Sequence, residues 1–145
     1  MRTLIIEDDP TNQRLMEAYL SPLGECVLAN DGSQGIERFA SALEDEKPFD
    51  LVCIDIMMPD MDGVAALKKI REMESESGRY GSQEAKVLMV SAVADKEIVV
   101  EAFKQGCEAY IIKPVQREEL FRHLKTFGFE ALQQNGPKKT SPTSR

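Results

Sequence analysis

Acidic, hydroxyl and amine side chains follow four short apolar runs of this 145-residue sequence, each at the point where the run ends. Glu7 and Asp8 follow the first run, Asp55 follows the third, and Ser91 and Lys113 follow the fourth and fifth. Carboxylates held close together repel one another, and a hard divalent cation with oxygen ligands removes that repulsion. Mg²⁺ suits such a set best, because it takes few carboxylates and fills its other positions with water or phosphate oxygens; Mn²⁺ is the alternative.

The same side chains could carry out phosphoryl transfer with an aspartate as the nucleophile. In that chemistry a carboxylate attacks phosphorus, while a divalent cation, a lysine and a hydroxyl neutralise the charge of the phosphoryl oxygens. Asp55 directly follows the apolar run Leu51–Ile54. Burial at the end of such a run removes water from the carboxylate, which costs free energy if the carboxylate has no partner. This position favours a functional role for Asp55 over that of an ordinary loop acid.

Five short apolar runs alternate with longer amphipathic stretches. This order predicts an α/β fold with a parallel sheet and helices on both of its faces. The predicted strands are Leu4–Ile6, Cys26–Leu28, Leu51–Ile54, Val87–Val90 and Ala109–Ile112. Ligands of such a sheet bind outside the carboxyl ends of the strands, so the fold places the polar side chains above at one edge.

Apolar spacing and turn residues predict the helices between these strands. The clearest helical stripe is formed by Ile36, Phe39, Ala40 and Leu43. The other helices are predicted at Pro10–Leu20, with Asp9 as its N-cap, at Val64–Met73, after Asp95, and around Leu120 and Leu124. The polar segment Glu74–Ala85 is predicted to be a long loop.

The composition, 42% hydrophobic and 30% charged, is that of one ordinary soluble domain. The cysteines, Cys26, Cys53 and Cys107, are odd in number and far apart, which argues against disulfides or zinc and favours a reducing, cytoplasmic setting. No stretch reaches the roughly 18 apolar residues of a membrane span, so we expect no membrane partner. The net charge is −7 overall and −9 for residues 1–125, which disfavours binding to nucleic acid.

Five motifs occur in order along the chain. They are Glu7-Asp8, Asp55, Met58-Pro59-Asp60-Met61-Asp62-Gly63, Ser91-Ala92 and Tyr110-Ile111-Ile112-Lys113-Pro114. Together they resemble the receiver domain of response regulators, the CheY-like superfamily of two-component and phosphorelay systems. The resemblance covers residues 2–127 and implies a flavodoxin-like (βα)5 fold with strand order 2-1-3-4-5. We therefore predict a receiver domain at residues 1–127 and a largely disordered tail at 128–145 with no output domain.

The resemblance implies a role for each residue that matches its acidic motifs. Asp55 would accept the phosphoryl group and would also be a metal ligand. Asp8 and the backbone carbonyl of Met57 would bind the metal with it, and Glu7 would act through water. Asp9, by contrast, is assigned to capping the helix that follows.

The motifs of the fourth and fifth strands receive the other roles that the resemblance implies. The phosphoryl oxygens would be held by Ser91, by the backbone of Ala92 and by Lys113. Ser91 and Tyr110 would form the switch that moves on activation. The output surface would be the face built from the fourth helix, the fifth strand and the fifth helix, where a protein target binds.

Two apolar residues predict the lifetime of the phosphorylated state. In this family, the positions two residues after the acceptor and two after the hydroxyl residue can orient the attacking water, and here they are Met57 and Val93. Neither side chain accepts a proton or a hydrogen bond from that water. The resemblance therefore implies slow autodephosphorylation.

The implied function is that of a stand-alone response regulator. It would take a phosphoryl group from a histidine kinase or a histidine phosphotransfer protein, would signal by protein contact, and would not be an enzyme beyond its own phosphorylation and dephosphorylation. A chemotaxis-type regulator and a phosphorelay shuttle both stay open, as does a receiver fragment of a longer regulator.

A different class of protein also fits one motif. Asp60-Met61-Asp62-Gly63-Val64 matches the signature of haloacid-dehalogenase-type phosphatases, which also form an aspartyl phosphate. Their nucleophile should directly follow an apolar strand, however, and Asp55 occupies that place. An EF-hand is excluded, because Met58 and Lys69 would stand at ligand positions.

Overall fold

Five parallel strands form one sheet in the order β2-β1-β3-β4-β5 in the computed structural model, which describes residues 1–129. The elements are β1 (Arg2–Ile6), α1 (Pro10–Leu20), β2 (Glu25–Ala29), α2 (Gly32–Glu44), β3 (Leu51–Asp55), α3 (Gly63–Glu76), β4 (Lys86–Ser91), α4 (Lys96–Lys104), β5 (Ala109–Ile112) and α5 (Arg117–Thr126). The fold class and the strand order predicted from sequence are confirmed.

The apolar strands are buried on both faces because helices cover both sides of the sheet. Along β1, Leu4 and Ile6 belong to the core cluster that includes Phe39 of α2 and Leu67 of α3. Ile5, which lies between them, belongs to the opposite cluster, which includes Met16 and Leu20 of α1 and Leu120 and Leu124 of α5. This alternation explains why the strands appear in the sequence as unbroken apolar runs.

The strand register aligns the carboxyl ends that carry the polar residues. Ile6 of β1 pairs with Ile54 of β3, so Glu7 and Asp55 follow at the same level. Asp55 in turn lies opposite Val90 of β4, one residue before Ser91. The parallel sheet therefore brings residues that are far apart in sequence to one edge.

Aspartates set the starting points of four helices. The side chains of Asp9, Asp31, Asp62 and Asp95 each accept a hydrogen bond from a backbone N–H in the first turn of α1, α2, α3 and α4. Such caps satisfy amide groups that have no partner inside the helix. The predicted cap at Asp9 is confirmed.

The prediction of a loop from Glu74 to Ala85 was wrong at its start. Helix α3 continues to Glu76, and Glu74 itself is buried. Its carboxylate accepts hydrogen bonds from Arg71 of the same helix and from the backbone N–H of Ala85. A glutamate with two such partners can be buried, which the local sequence does not reveal.

Beyond α5 the chain still packs on the body, since the N–H of Phe129 donates to the carbonyl of Leu124 at 2.9 Å and its ring contacts the core. The predicted tail lies almost wholly at residues 130–145, outside the described residues. None of the helices within residues 1–129 has the length and apolar character needed to cross a membrane.

Candidate functional site

Three carboxylates meet at the carboxyl edge of the sheet, as the sequence predicts. Oxygen atoms of Glu7, Asp8 and Asp55 lie within 4.8 Å of one another. Glu7 and Asp55 are only 3% and 4% exposed, whereas Asp8 is exposed. An all-oxygen, three-carboxylate cluster with one solvent-facing member fits a hard divalent cation.

Among residues 1–129, Lys113 is the positively charged side chain that forms ion pairs with this cluster. Its Nζ lies 3.1 Å from Oε1 of Glu7 and 3.4 Å from Oδ1 of Asp55. One ammonium beside three carboxylates leaves a net negative charge. That excess is the physical reason why the site suits a further cation.

The titration of Asp55 reflects this crowding. Burial, and then the neighbouring Glu7 carboxylate, raise the pKa of Asp55 from 3.8 to about 7, although Lys113 acts in the opposite direction. Burial would lower the pKa of Lys113, but the carboxylates of Glu7 and Asp55 outweigh it and raise that pKa. Near neutral pH a cation must therefore compete with a proton for Asp55.

The acidic run after β1 divides between two roles. The side chain of Asp9 turns to α1, where it accepts from the N–H of Thr11 at 2.9 Å and from the amide of Asn12 at 3.0 Å. The N–H of Asp9 donates to Oε2 of Glu7 at 3.1 Å, which helps to hold that buried carboxylate in place. Asp8 stays in the acidic cluster.

Gly63 allows α3 to begin directly against the end of β3. A Cβ atom at this position would lie 2.5 Å from the carbonyl oxygen of Asp55, a distance that real Cβ contacts do not reach. The N–H of Gly63 donates to the carbonyl of Ile56 at 2.8 Å, and the N–H of Met57 donates to Oδ1 of Asp55 at 3.3 Å. These contacts fix both ends of the segment that follows Asp55.

The predicted switch residues meet at the loop between β4 and α4. The buried hydroxyl of Ser91 accepts from the N–H of Val93 at 3.0 Å, and the hydroxyl of Tyr110 donates to the carbonyl of Val93 at 3.0 Å. Ala92, which lies between Ser91 and Val93 in the sequence, is exposed. Among the described residues no hydrogen bond joins Ser91 to Asp55, so in this conformation the hydroxyl serves the loop.

Both residues predicted to tune dephosphorylation are accessible apolar side chains next to the site. Met57 is 59% exposed and Val93 is 39% exposed.

The acids of the phosphatase-like motif are engaged elsewhere. Asp60 accepts three hydrogen bonds from Gly32 and Ser33 at the start of α2, and Asp62 caps α3 through the N–H of Ala65. The phosphatase hypothesis requires the first aspartate of this motif, Asp60, to lie at the end of a strand. The acid at that place is Asp55 instead.

Sequence reasoning missed a polar network on the α2 side of the site. The side-chain amide of Gln13 donates to the carbonyls of Glu7 and Ala29 and to Oδ1 of Asn30. In the sequence, Asn30 belongs to the turn signal Asn30-Asp31-Gly32, and Asp60 belongs to the motif that begins at Met58. The turn residues hinted at a loop there, but nothing local in the sequence pairs Gln13 or Asp60 with its partners.

Comparison with known proteins gives a consistent answer. The model of the response regulator receiver domain family matches residues 3–125, most of the chain. The chemotaxis protein CheY of Bacillus subtilis is 31% identical over 125 residues, which cover 85% of this chain and 93% of that protein. Two further relatives are matched over only 14% and 51% of their own lengths, so this chain corresponds to one part of those proteins.

Two solved structures share the fold. The CheX-CheY complex of Borrelia burgdorferi with BeF3 and Mg²⁺ has a TM-score of 0.74 at 25% identity, with 88% of this chain and 89% of that chain covered. The receiver domain of a sensor histidine kinase of Pseudomonas aeruginosa, with a magnesium ion in its active-site cleft, has a TM-score of 0.70 at 28% identity, with 87% and 95% covered. This chain belongs to the response regulator receiver domain family of two-component signalling systems.

Proposed function

We propose that this chain is a signalling switch that accepts a phosphoryl group on Asp55 from a phosphohistidine of a sensor kinase or phosphotransfer protein. The observation that carries the proposal is a buried aspartate in a three-carboxylate cluster with a lysine 3.4 Å away. Asp8, Asp55 and the carbonyl of Met57 would hold Mg²⁺, with Glu7 acting through water. When bound, the cation supplies positive charge to the phosphoryl oxygens and favours the ionised form of Asp55.

The covalent step exchanges one bond to phosphorus for another. A carboxylate oxygen of Asp55 attacks as the bond between phosphorus and the histidine nitrogen breaks, and that nitrogen keeps the electron pair. Lys113 would hold one phosphoryl oxygen, for which it must give up part of its contact with Glu7. The backbone N–H of Ala92 would donate to another. The chain would act on no other substrate, and its own dephosphorylation would be slow.

The switch follows from the contacts of Ser91. Phosphorylation adds about −1.5 to −2 charge beside a hydroxyl that now accepts from the N–H of Val93. We expect Ser91 to turn and donate to a phosphoryl oxygen, which releases the loop that also holds the hydroxyl of Tyr110. This differential contact is what would bias two conformations.

The output surface would be the face formed by α4, β5 and α5. Val100 and Phe103 of α4 and Ile112 of β5 are 51%, 47% and 39% exposed, so these elements offer apolar side chains at the surface. Such residues suit a protein target. A cytoplasmic location completes the proposal, and the three free cysteines support it.

The test of the acceptor is intact-mass spectrometry after incubation with acetyl phosphate. We expect a phosphoryl adduct that needs Mg²⁺ and is absent from Asp55→Asn. Asp62→Asn, a change of an acid seven residues along the same loop, serves as the control and should still be labelled. An adduct of undiminished intensity in Asp55→Asn would overturn the assignment.

The two pathways left open by the sequence differ in what happens next. A shuttle returns its phosphoryl group to a histidine on a second protein, whereas a chemotaxis-type regulator retains it and binds its target. Incubation of the phosphorylated chain with a purified histidine phosphotransfer protein, followed by mass spectrometry of both, separates these roles.

A further inference from the structure

The loop of residues 57–62 carries Met57, whose carbonyl is a proposed metal ligand, so the position of this loop determines the geometry of the site. Its base is closed by the hydrogen bond from Gly63 to Ile56. Between these ends the side chain of Met58 is buried in the core, and that of Met61 packs against the core while partly buried. The rest of the loop needs another anchor if Met57 is to be held in one place.

Asp60 supplies that anchor by binding the start of α2. Its Oδ1 accepts from the N–H of Gly32 at 3.1 Å, and its Oδ2 accepts from the N–H and hydroxyl of Ser33 at 2.9 and 2.8 Å. Beside it, Met61 packs so closely on Gly32 that a Cβ there would lie 3.0 Å from the Cβ of Met61. Among residues 1–129, every hydrogen bond between residues 57–62 and a helix other than α3 is accepted by the carboxylate of Asp60.

These contacts go beyond ordinary helix capping. The cap of α2 is already Asp31, which accepts from the N–H of Gln34 at 2.8 Å. The amide groups of Gly32 and Ser33 are thus free to bind a carboxylate 27 or 28 residues away in sequence. A carboxylate at a helix N-terminus makes strong, charge-assisted hydrogen bonds. The bonds from Ser33 and Gly32 lower the pKa of Asp60, in agreement with a carboxylate that stays charged.

The start of α2 is itself fixed to the acidic edge of the sheet. The backbone N–H of Asn30 donates to the side chain of Gln34, and the side chain of Asn30 accepts from Gln13. Gln13 also donates to the carbonyl of Glu7, the first acid of the cluster. Asp60 therefore fastens the loop after β3 to a framework that includes the loop after β1.

We propose that Asp60 is a positioning residue for the metal site: by fastening residues 57–62 to α2, it holds the carbonyl of Met57 in place for the cation. The role given to that carbonyl rests on the proposed function. Asp60 does not touch the cation and acts only through the loop. Its removal should leave the fold intact but weaken Mg²⁺ binding.

The test compares Asp60→Ala with Asp31→Ala by calorimetric titration of Mg²⁺ into the full chain. Asp60→Ala should raise the dissociation constant of Mg²⁺ about three- to tenfold. Loss of a group that hydrogen-bonds a metal-coordinating residue directly typically weakens metal binding more, by roughly 10–100-fold. Asp31→Ala removes a cap from the same helix without touching the loop, so its dissociation constant should stay within about twofold of wild type. Asp60→Asn keeps one acceptor oxygen and should give an intermediate value.

Amide hydrogen exchange without metal provides a second readout. Asp60→Ala should accelerate exchange in residues 57–62, and Asp31→Ala should not. Equal metal affinities in wild type and Asp60→Ala, or equal losses in Asp60→Ala and Asp31→Ala, would overturn the proposal. Labelling by acetyl phosphate distinguishes this failure from that of the proposed function: an unlabelled wild type whose metal affinities follow the expected series would refute only the phosphoryl role.

Discussion

Opposite ends of the sheet each hold carboxylates around a single cation, and the two groups differ in how fully their hydrogen bonds are used. At the amino ends of β4 and β5, Arg71 donates to Glu74, to Glu108 and to the carbonyls of Ala85 and Gly106, at 2.7–3.4 Å. The two carboxylates also accept from backbone groups, Glu74 from Ala85 and Glu108 from Val87, both at 2.7 Å. We call this network closed, because its cation and both of its carboxylates have their hydrogen-bond partners within the protein.

The cluster at the carboxyl ends of the strands is open, because its members have fewer partners within the protein. Lys113 meets Glu7 and Asp55 at 3.1 and 3.4 Å, while Asp8 reaches solvent. Burial raises the pKa of both Glu74 and Asp55. At Glu74 the Ala85 N–H and Arg71 oppose this rise, whereas at Asp55 the Glu7 carboxylate adds to it more than Lys113 opposes it. A guanidinium fork suits a finished structural network, and a mobile ammonium suits a site that must accept a new group. This difference distinguishes the acidic cluster that stabilises the fold from the acidic cluster that is proposed to accept the phosphoryl group.

The largest expected effect is the loss of the closed network. Arg71→Met leaves Glu74 buried without its cation, which should cost about 3–5 kcal/mol in the free energy of unfolding. Urea denaturation measures it. Arg38→Met is the matched control, because Arg38 is exposed and donates one hydrogen bond, to Leu28; its cost should stay near 1 kcal/mol or below. Similar losses in both variants would contradict the distinction between the two ends.

The corresponding change at the open end should affect chemistry more than stability. Lys113→Met should slow phosphorylation by acetyl phosphate about 10²-fold, because one of the charges that meet the phosphoryl oxygens is gone. Its unfolding free energy should fall by less than that of Arg71→Met, since Asp55 can take up a proton. If Lys113→Met keeps the wild-type rate, the open cluster is not the phosphorylation site.

How far the sequence predicts each end follows from the range of the interactions. Asp55, Ser91 and Lys113 could be found because each directly follows an apolar run of the sequence, and Asp9 because helix capping is local. Glu74 was misplaced in a loop, since its partner Ala85 is 11 residues away across a turn. The contacts of Asp60 with α2 were also missed, since they exist only once the sheet brings two loops together.

The pH dependence of stability should distinguish the two ends by sign. In metal-free protein the pKa of Asp55 is raised from 3.8 to about 7, so the folded state holds a proton that the unfolded state has lost between these values. Stability from this group therefore falls as pH rises from about 4 to 7. Asp55→Asn removes this penalty, so the variant should be more stable than wild type at pH 8, with little gain at pH 4.

The same amide substitution at the closed end should do the opposite. Glu74→Gln places an NH₂ group near the N–H of Ala85 or the guanidinium of Arg71, both of which need acceptors, so it should lose stability at pH 8. Thermal unfolding in a chelating buffer at several pH values measures both variants. A gain from Glu74→Gln, or a pH-independent difference for Asp55→Asn, would contradict the comparison.

The smallest expected effect concerns how long the open site keeps its phosphoryl group. Hydrolysis needs a water in line with phosphorus, opposite Asp55, and polar side chains orient such a water. Met57 and Val93 are exposed enough to meet this water but offer it no acceptor. A positioned acid or base is typically worth about 10²–10⁴-fold, and orientation alone falls at or below the low end of that range. We therefore expect Met57→Asn combined with Val93→Glu to accelerate phosphate release about tenfold after removal of the donor. Val100→Glu, a change of another exposed valine on α4, should leave the release rate unchanged. Wild-type decay within seconds, or equal rates in all three proteins, would show that apolar neighbours do not protect the aspartyl phosphate.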